Sequence, residues 1–399
     1  MKTKYTGSLV VISIAALTFV GLTAQNAPAP QPVAVAPTMT SLTPPQQAAV
    51  VAMNNNLTAL TQARTTAQAA LAQATFTLSG SAADRQSKAA ALGAAEQALA
   101  LARATAMAQI QAGPSRLSVA QIQNVARAAG ALPAKKRLLI WADTRNGVSQ
   151  HDFTSHAMAV IERMGYESGL WDTFIRTDSE IISYQPQKTA GPDGKAQGGA
   201  SGGPSLNNVD AIFSLAHREA PLSDAQKADL FKFVRDDGKG FITGHTGLTA
   251  MTQWPEFREM IGGDYGGHNI GYAHTLVVED PKWPGASAFP ARIEMSEEWY
   301  HLLNYSREKI RVIMRLDLSK FEGGNAAVQA GGGDFPVAWA RQYGKGRVFG
   351  STFAHATESW DNPMIQTLYF EAIKWALKLQ DADVTPRPVP AAVTLGKKQ

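Results

Sequence analysis

Eight histidines and no cysteine set the chemistry open to this 399-residue chain. None of the eight precedes His151, and three stand in short polar motifs directly after apolar, strand-like runs. Gln150-His151-Asp152 follows Arg137–Ala142, Gly244-His245-Thr246-Gly247 follows Phe241–Thr243, and Ala354-His355-Ala356 follows Arg347–Phe353. Imidazole is the side chain best suited to moving protons near neutrality and to holding a transition metal. Ligands of open α/β sheets bind outside the carboxyl ends of the strands, which is where these motifs fall. The absence of cysteine rules out a thiol nucleophile, a disulfide and a lipid-modified cysteine.

The remaining histidines are weaker candidates. His268 ends the glycine-rich run Gly262–Gly267, which must be a loop; no Gly-Lys-Ser/Thr ending follows, so a phosphate cradle is disfavoured. His156, His217, His274 and His301 read as satisfied surface or core histidines, with His217 the best of them because it too ends a strand. Glu297-Glu298 precede Trp299-Tyr300. A carboxylate there could be a base or orient a histidine, and the aromatics could stack on a sugar face; equally, the four could be an exposed acidic pair beside two core aromatics. Asp152 could contact a ligand or cap a helix. His151, His245, His268 and His355 could converge on a divalent metal, zinc first, although no local His-Glu-x-x-His signature exists; scattered ligands are normal for catalytic zinc. Arg341, Lys345 and Arg347 flank a Tyr-Gly-Lys-Gly hairpin turn and read as a solvated turn.

The elements that must position these groups begin near Lys135. Apolar runs predict strands at Arg137–Ala142, Tyr166–Trp171, Val209–Leu215, Gly240–Thr243, His274–Glu279, Arg311–Leu316, Val337–Gln342 and Arg347–Phe353. Helical spacing predicts helices at Thr154–Met164, Ser223–Arg235 and Asn362–Leu379; the last carries an Asn362 cap, Pro363 at its first position and the inward stripe Ile365, Leu368, Tyr369, Ala372, Ile373 and Ala376. Strands alternating with helices imply a mainly parallel sheet covered on both faces, and the closely spaced later strands imply added antiparallel pairs. Gln187–Ser205 is Gly/Ser/Pro-rich and reads as an inserted loop.

Upstream the character changes. Lys2 and Lys4 precede the apolar run Leu9–Leu22 and then Thr23-Ala24-Gln25, the layout of a secretory signal over 1–24. An N-terminal membrane anchor is the alternative, but the run is short for a span of about 20 residues. Export to a periplasm or cell envelope is expected, with no membrane span after cleavage. Residues 25–44, rich in Pro and Ala, read as a disordered linker, and 381–399 as a flexible tail. Residues 45–130 are Ala-rich and predict a helical hairpin broken at Ser79-Gly80-Ser81, then a short helix from Ser118 to Gly130. The hairpin is a packing spacer or a docking element for a protein partner. Formal net charge is +4, and losing Lys2 and Lys4 leaves +2, too little for an electrostatic nucleic-acid binder.

The ordered set of motifs resembles a known family. Gln150-His151-Asp152, Gly244-His245-Thr246-Gly247, Gly262–His268, Ser296–Tyr300, Trp339–Val348 and Ala354-His355, in that order over about 135–380, resemble the ThuA-like family of trehalose utilisation. The resemblance implies a flavodoxin-like doubly wound fold akin to class I glutamine amidotransferases. It places His245 where the amidotransferase nucleophile stands, which removes Cys–His chemistry. It also implies a small carbohydrate or keto-sugar as substrate, with His245 and His268 as acid/base groups, His151 and His355 positioning substrate or metal, and Glu298 orienting a histidine. A non-catalytic envelope module binding sugar or protein needs the same side chains. Convergence of the histidines in one pocket favours the enzyme; scatter favours the module. No dinucleotide fingerprint follows the first strand, so a dehydrogenase with its own NAD is disfavoured.

Overall fold

In the computed structural model, residues 81–111 and 133–396 are described, apart from 146, 149, 186–204 and 325, with scattered positions in 56–71 and 123–127. The expected signal, the linker, most of the first and third N-terminal helices and nearly all of the Gln187–Ser205 loop lie outside the described residues. The second N-terminal helix, α1 (Ala82–Gln111), is described; Ser81 caps it by accepting the Asp84 N–H at 3.1 Å.

Along the α/β region the elements are β1 (Lys136–Trp141), α2 (Phe153–Ser168), β2 (Trp171–Arg176), β3 (Ala211–Ser214), α3 (Asp224–Phe231), β4 (Gly240–Gly244), α4 (Pro255–Ile261) and β5 (Asp264–Tyr265). They continue as β6 (Ala273–Val278), β7 (Arg292–Ser296), β8 (Leu302–Leu303), β9 (Arg311–Asp317), α5 (Ala326–Ala330), β10 (Pro336–Tyr343), β11 (Gly346–Ser351), α6 (Thr357–Trp360) and α7 (Pro363–Ala376). Nine strands form one sheet in the order β2-β1-β3-β4-β11-β10-β9-β6-β7, and β5 pairs with β8 apart from it. The first five are parallel; the last four add antiparallel neighbours. This is the doubly wound sheet with antiparallel additions that the alternation implied.

Strand periodicity divides the core into two layers. On β1, Leu138 and Ile140 join one cluster with Ala157 and Ile161 of α2 and Ile365 and Leu368 of α7. Leu139 and Trp141 join the other with Leu230 of α3 and Phe257 of α4. The expected α7 stripe is buried along its whole length, and Asn362 caps the helix by accepting the Met364 N–H at 2.9 Å. Helix α3 begins at the expected Ser223, in a capping box with Gln226, then loosens into a wider turn over Lys232–Asp236.

Three expectations are corrected. The second strand is Trp171–Arg176, not Tyr166–Trp171, because α2 runs on through Ser168 and stops at Gly169, whose φ of +69° supplies the left-handed helix end. The strand Arg292–Ser296 was not anticipated, although Ile293 and Met295 point inward between exposed neighbours. The C-terminal segment, expected as a flexible tail, is strapped to the sheet. Arg311 donates to the Thr385 carbonyl at 2.9 Å, Arg387 to Val312 O at 3.1 Å, and Gly396 N to Leu318 O at 2.9 Å. Val384 and Leu395 give the strap apolar contacts with the core.

The N-terminal region touches the carboxyl end of α2: Gln123 donates to Tyr166 O at 2.7 Å and Arg127 to Gly169 O at 2.6 Å. Among the described residues no helix is long and apolar enough to cross a membrane.

Candidate metal centre

The sheet's direction of winding reverses between β1 and β3, and the chain places a histidine on each side of that point. His151 follows β1 and His217 follows β3, with their rings edge to face at 4.8 Å. His245 follows β4 and His355 follows β11, so adjacent parallel strands deliver four histidines to one end of the sheet.

Two of these deliveries use strained backbone. His245 has φ of 33°, and Ala354, next to His355, has φ of 76°. Both lie in the left-handed region that non-glycine residues avoid. The turn after β4 closes so tightly that a Cβ on Gly247 would collide with Thr243 Oγ1 and stand 2.7 Å from the Ser214 carbonyl. Gly247 and Gly244 therefore serve close packing within the protein, the latter against Tyr369, and not approach to a ligand.

The cluster itself is His151, His245, Glu298 and His355, whose ligand atoms all lie within 4.8 Å of one another. His245 is fully buried, and its Nδ1 donates to the Thr352 carbonyl at 2.9 Å. A carbonyl only accepts, so Nδ1 carries the proton of the neutral ring and Nε2 presents a lone pair. That lone pair faces Glu298 Oε2 at 3.2 Å and His355 Nδ1 at 3.0 Å, while His355 Nδ1 is 2.9 Å from Glu298 Oε2. Three electron-rich atoms this close need a proton or a cation between them. Three imidazoles and a carboxylate suit zinc, nickel or iron, and a histidine whose other nitrogen bonds a carbonyl is the usual form of a metal ligand.

Charge follows the geometry. Burial pushes His151 down to about 4, reinforced by the neighbouring imidazoles, so the ring is neutral and fit to ligate near pH 7. Burial also lowers His245. The hydrogen bond to Glu298 raises His355. Burial alone would raise Glu298, but His245 and His355 outweigh it and hold this carboxylate well below its usual range. Its neighbour Glu297, wholly enclosed, is pushed up to about 7 by burial despite bonds from Ser359 and the His355 N–H.

His268 lies outside this cluster. It is half exposed, and its Nδ1 lies 2.9 Å from Glu298 Oε1, the oxygen turned away from His245 and His355. Glu298 is the fourth member of the cluster in its place. Trp299 and Tyr300 are buried and offer no face to a sugar. Trp299 donates to the Tyr272 carbonyl at 2.6 Å and packs edge-on against Phe353; Tyr300 lies against the His245 ring at 4.1 Å between centroids. Asp152 precedes α2 without a side-chain capping bond and lines a cavity of about 520 Å³ beside His151 and His355. The Gly344-Lys345 turn joins the ends of β10 and β11 farthest from the cluster and is exposed as expected. Arg341, however, is buried against the Glu259 carbonyl, and Arg347 donates to the Trp375 and Gln380 carbonyls at 2.8 Å, so these two arginines tie down structure instead of flanking a solvated turn. His156 pairs with Asp361 at 2.9 Å, and His274 bonds Ile270 O at 2.8 Å, as ordinary satisfied histidines.

Sequence reasoning missed Arg218, an exposed cation with φ of 63° directly after His217; burial raises Tyr265 and Tyr300 above their ordinary range, and the charge of Arg218 offsets this only in part. Its position at a strand end was the available signal.

The class defined by this fold and site is a doubly wound α/β domain with a histidine–carboxylate cluster on the carboxyl ends of its parallel strands. The chain belongs to the ThuA family, trehalose utilisation, whose family model matches residues 137–376. Among solved structures it is similar to a ThuA-like protein from Bacteroides uniformis, 17% identical, TM-score 0.46, with 60% of this chain and 91% of that one covered. A ThuA-like protein from Parabacteroides merdae is 16% identical, TM-score 0.43, with 65% of this chain and 95% of that one covered. No curated protein matches the chain.

Proposed function

We propose that this protein is an exported, metal-assisted enzyme acting on a small carbohydrate or keto-sugar. The carrying observation is the His245 Nε2 lone pair, aimed at Glu298 Oε2 and His355 Nδ1 with His151 completing the set. His151, His245, Glu298 and His355 would hold a divalent ion, zinc first. When bound, such an ion polarises a carbonyl oxygen or lowers the pKa of a bound water.

The chain's own groups divide the remaining work. His245 is enclosed with both ring nitrogens engaged, which suits holding and not proton exchange with a substrate. His268 is half exposed and steadied by Glu298 Oε1, which suits a general acid or base at the open side of the cluster. The bond from His245 Nδ1 to the Thr352 carbonyl and the contacts of His355 Nδ1 with Glu298 and His245 orient the two rings before any ligand arrives. The family's description, trehalose utilisation, supports a sugar as substrate. The basic and apolar start of the sequence supports export, and exposed side chains along the described part of α1, such as Leu101, support a role for that helix in meeting a protein partner.

The test is to incubate zinc-supplied protein with neutral disaccharides and their keto derivatives and follow the sugars by NMR. Conversion that disappears in Glu298→Gln and falls in His268→Ala supports the enzyme. Sugar binding without conversion under any divalent metal makes this a binding module.

A further inference from the structure

His355 reaches the cluster on a turn that the sheet does not hold. β11 ends at Ser351, and from Phe353 onward the backbone groups have no strand to pair with. The His355 side chain is partly open to solvent, unlike His245, which is enclosed. Ala354, just before it, has φ of 76°, a conformation that persists in a non-glycine residue only where its surroundings enforce it.

Buried backbone groups need partners, and those of this turn find them one by one in side chains. The Phe353 N–H donates to Ser351 Oγ at 3.1 Å, and the Phe353 carbonyl accepts from the Tyr369 hydroxyl at 3.1 Å. The Ala354 carbonyl accepts from Trp360 Nε1 at 3.1 Å. The N–H groups of Ala354 and His355 both go to the carboxyl group of Glu297, the latter at 3.3 Å. Ser359, farther along the same loop, adds its hydroxyl. Glu297 is itself buried, and its backbone is fixed by donation of its N–H to Tyr272 O at 3.1 Å. A carboxyl group is costly to bury unless it is hydrogen-bonded, and two successive N–H groups with a hydroxyl make a fitted receptacle for this one.

Two neighbouring acids thus take hold of one histidine from different sides. Glu297 Oε2 accepts the His355 N–H, while Glu298 Oε2 stands 2.9 Å from His355 Nδ1. We infer that Glu297 is a positioning residue: by receiving the Ala354 and His355 N–H groups it holds His355 where the ring can join His151, His245 and Glu298 on a metal ion. This rests on the reading of that cluster as a metal centre. Filling space under the loop would need only the volume of the Glu297 side chain; positioning needs its acceptor oxygen.

The experiment separates the two with Glu297→Gln, which keeps an acceptor oxygen, and Glu297→Met, which keeps the length without a comparable acceptor. Thermal melting checks that both are folded. In the metal-free proteins, amide hydrogen exchange over residues 353–359 is expected to quicken about tenfold or more in Glu297→Met and to stay within about threefold of wild type in Glu297→Gln. Zinc titration under a competing chelator is expected to show affinity about 10–100-fold weaker in Glu297→Met and close to wild type in Glu297→Gln. Glu297→Asp, whose carboxyl is drawn back by one methylene, should fall between them and serves if Glu297→Met does not fold. Wild-type exchange, or wild-type zinc affinity, in both Glu297→Met and Glu297→Asp overturns the inference while leaving the metal centre in place. So does an equal loss in Glu297→Gln and Glu297→Met, because the acceptor would then not be what holds the loop. Wild type that takes up no zinc overturns the metal-centre reading and the claim of ligation with it, and the exchange measurement still decides whether Glu297 holds His355.

Discussion

His245 donates its Nδ1 proton to the Thr352 carbonyl at 2.9 Å, inside the protein and out of reach of water. One hydrogen bond thereby decides what the ring can do on its other side. With Nδ1 committed, Nε2 is an acceptor, and it points at a carboxylate and a second imidazole. The lone pair that His245 offers to the cluster is set by its partner Thr352 and not by its position in the sequence.

Glu298 faces two ways, and its two neighbours should respond differently to substitution. His268 meets Oε1 at 2.9 Å, outside the ligand set. His268→Ala is expected to weaken metal affinity about 10–100-fold with stoichiometry preserved at saturating metal. His355→Ala, which removes a donor, should abolish stoichiometric binding. Titration of both variants with zinc under a competing chelator separates them.

Trp299 is a core residue, and its replacement should read as a loss of stability. Trp299→Phe removes the bond to Tyr272 O and leaves a cavity, so a loss of about 1–3 kcal/mol is expected in urea denaturation. Metal stoichiometry should be unchanged. A stability equal to wild type would mean that the ring is not packed as described.

Gly247 has no room for a side chain between Thr243 and Ser214. Gly247→Ala should force the turn that carries His245 to shift, lowering stability by about 1–3 kcal/mol. Metal affinity should fall with it, whereas Gly93→Ala in α1, where a Cβ would meet nothing within 4 Å, should leave metal binding intact.

Asp143, buried after β1, accepts from Ser179 Oγ at 2.6 Å and Arg145 Nη2 at 2.8 Å. Burial raises its pKa, but these partners outweigh burial and leave it lowered. A carboxylate with a depressed folded pKa stabilises the protein fully above its unfolded value, about 3.9, and loses that contribution as pH falls through the folded value. Asp143→Asn is therefore expected to cost about 1–3 kcal/mol at pH 7 and progressively less below pH 4. Denaturation of both proteins across pH 2.5–7 would show it.

Much of this was legible because the signals are local. Asn362-Pro363 and the stripe Ile365 to Ala376 mark α7 in the chain itself, and the histidines announce themselves by following β1, β4 and β11. Tyr166–Trp171 misled because an aromatic after a glycine reads as extended chain, while Gly169, two residues before β2, is what ends the helix. Ile293 and Met295 alternate clearly but in a segment of only five residues. At the site, residue type named Glu298 and His268 but could not assign their roles. Which of them faces the cluster depends on a loop and a sheet edge meeting across a long stretch of sequence. Nor could it show that Trp299 and Tyr300 turn inward, because aromatic rings suit a sugar face and a core equally.

The most direct measurement is zinc content and affinity of the purified protein beside a His245→Ala/Glu298→Gln double variant. Elemental analysis would follow metal reconstitution and removal of free ion. One equivalent of zinc in the wild type, with little or none in a double variant that melts as a folded protein, is the expected result. Wild type that takes up no divalent ion after reconstitution, or a double variant that holds it equally well, would contradict the assignment of His151, His245, Glu298 and His355 as a metal centre.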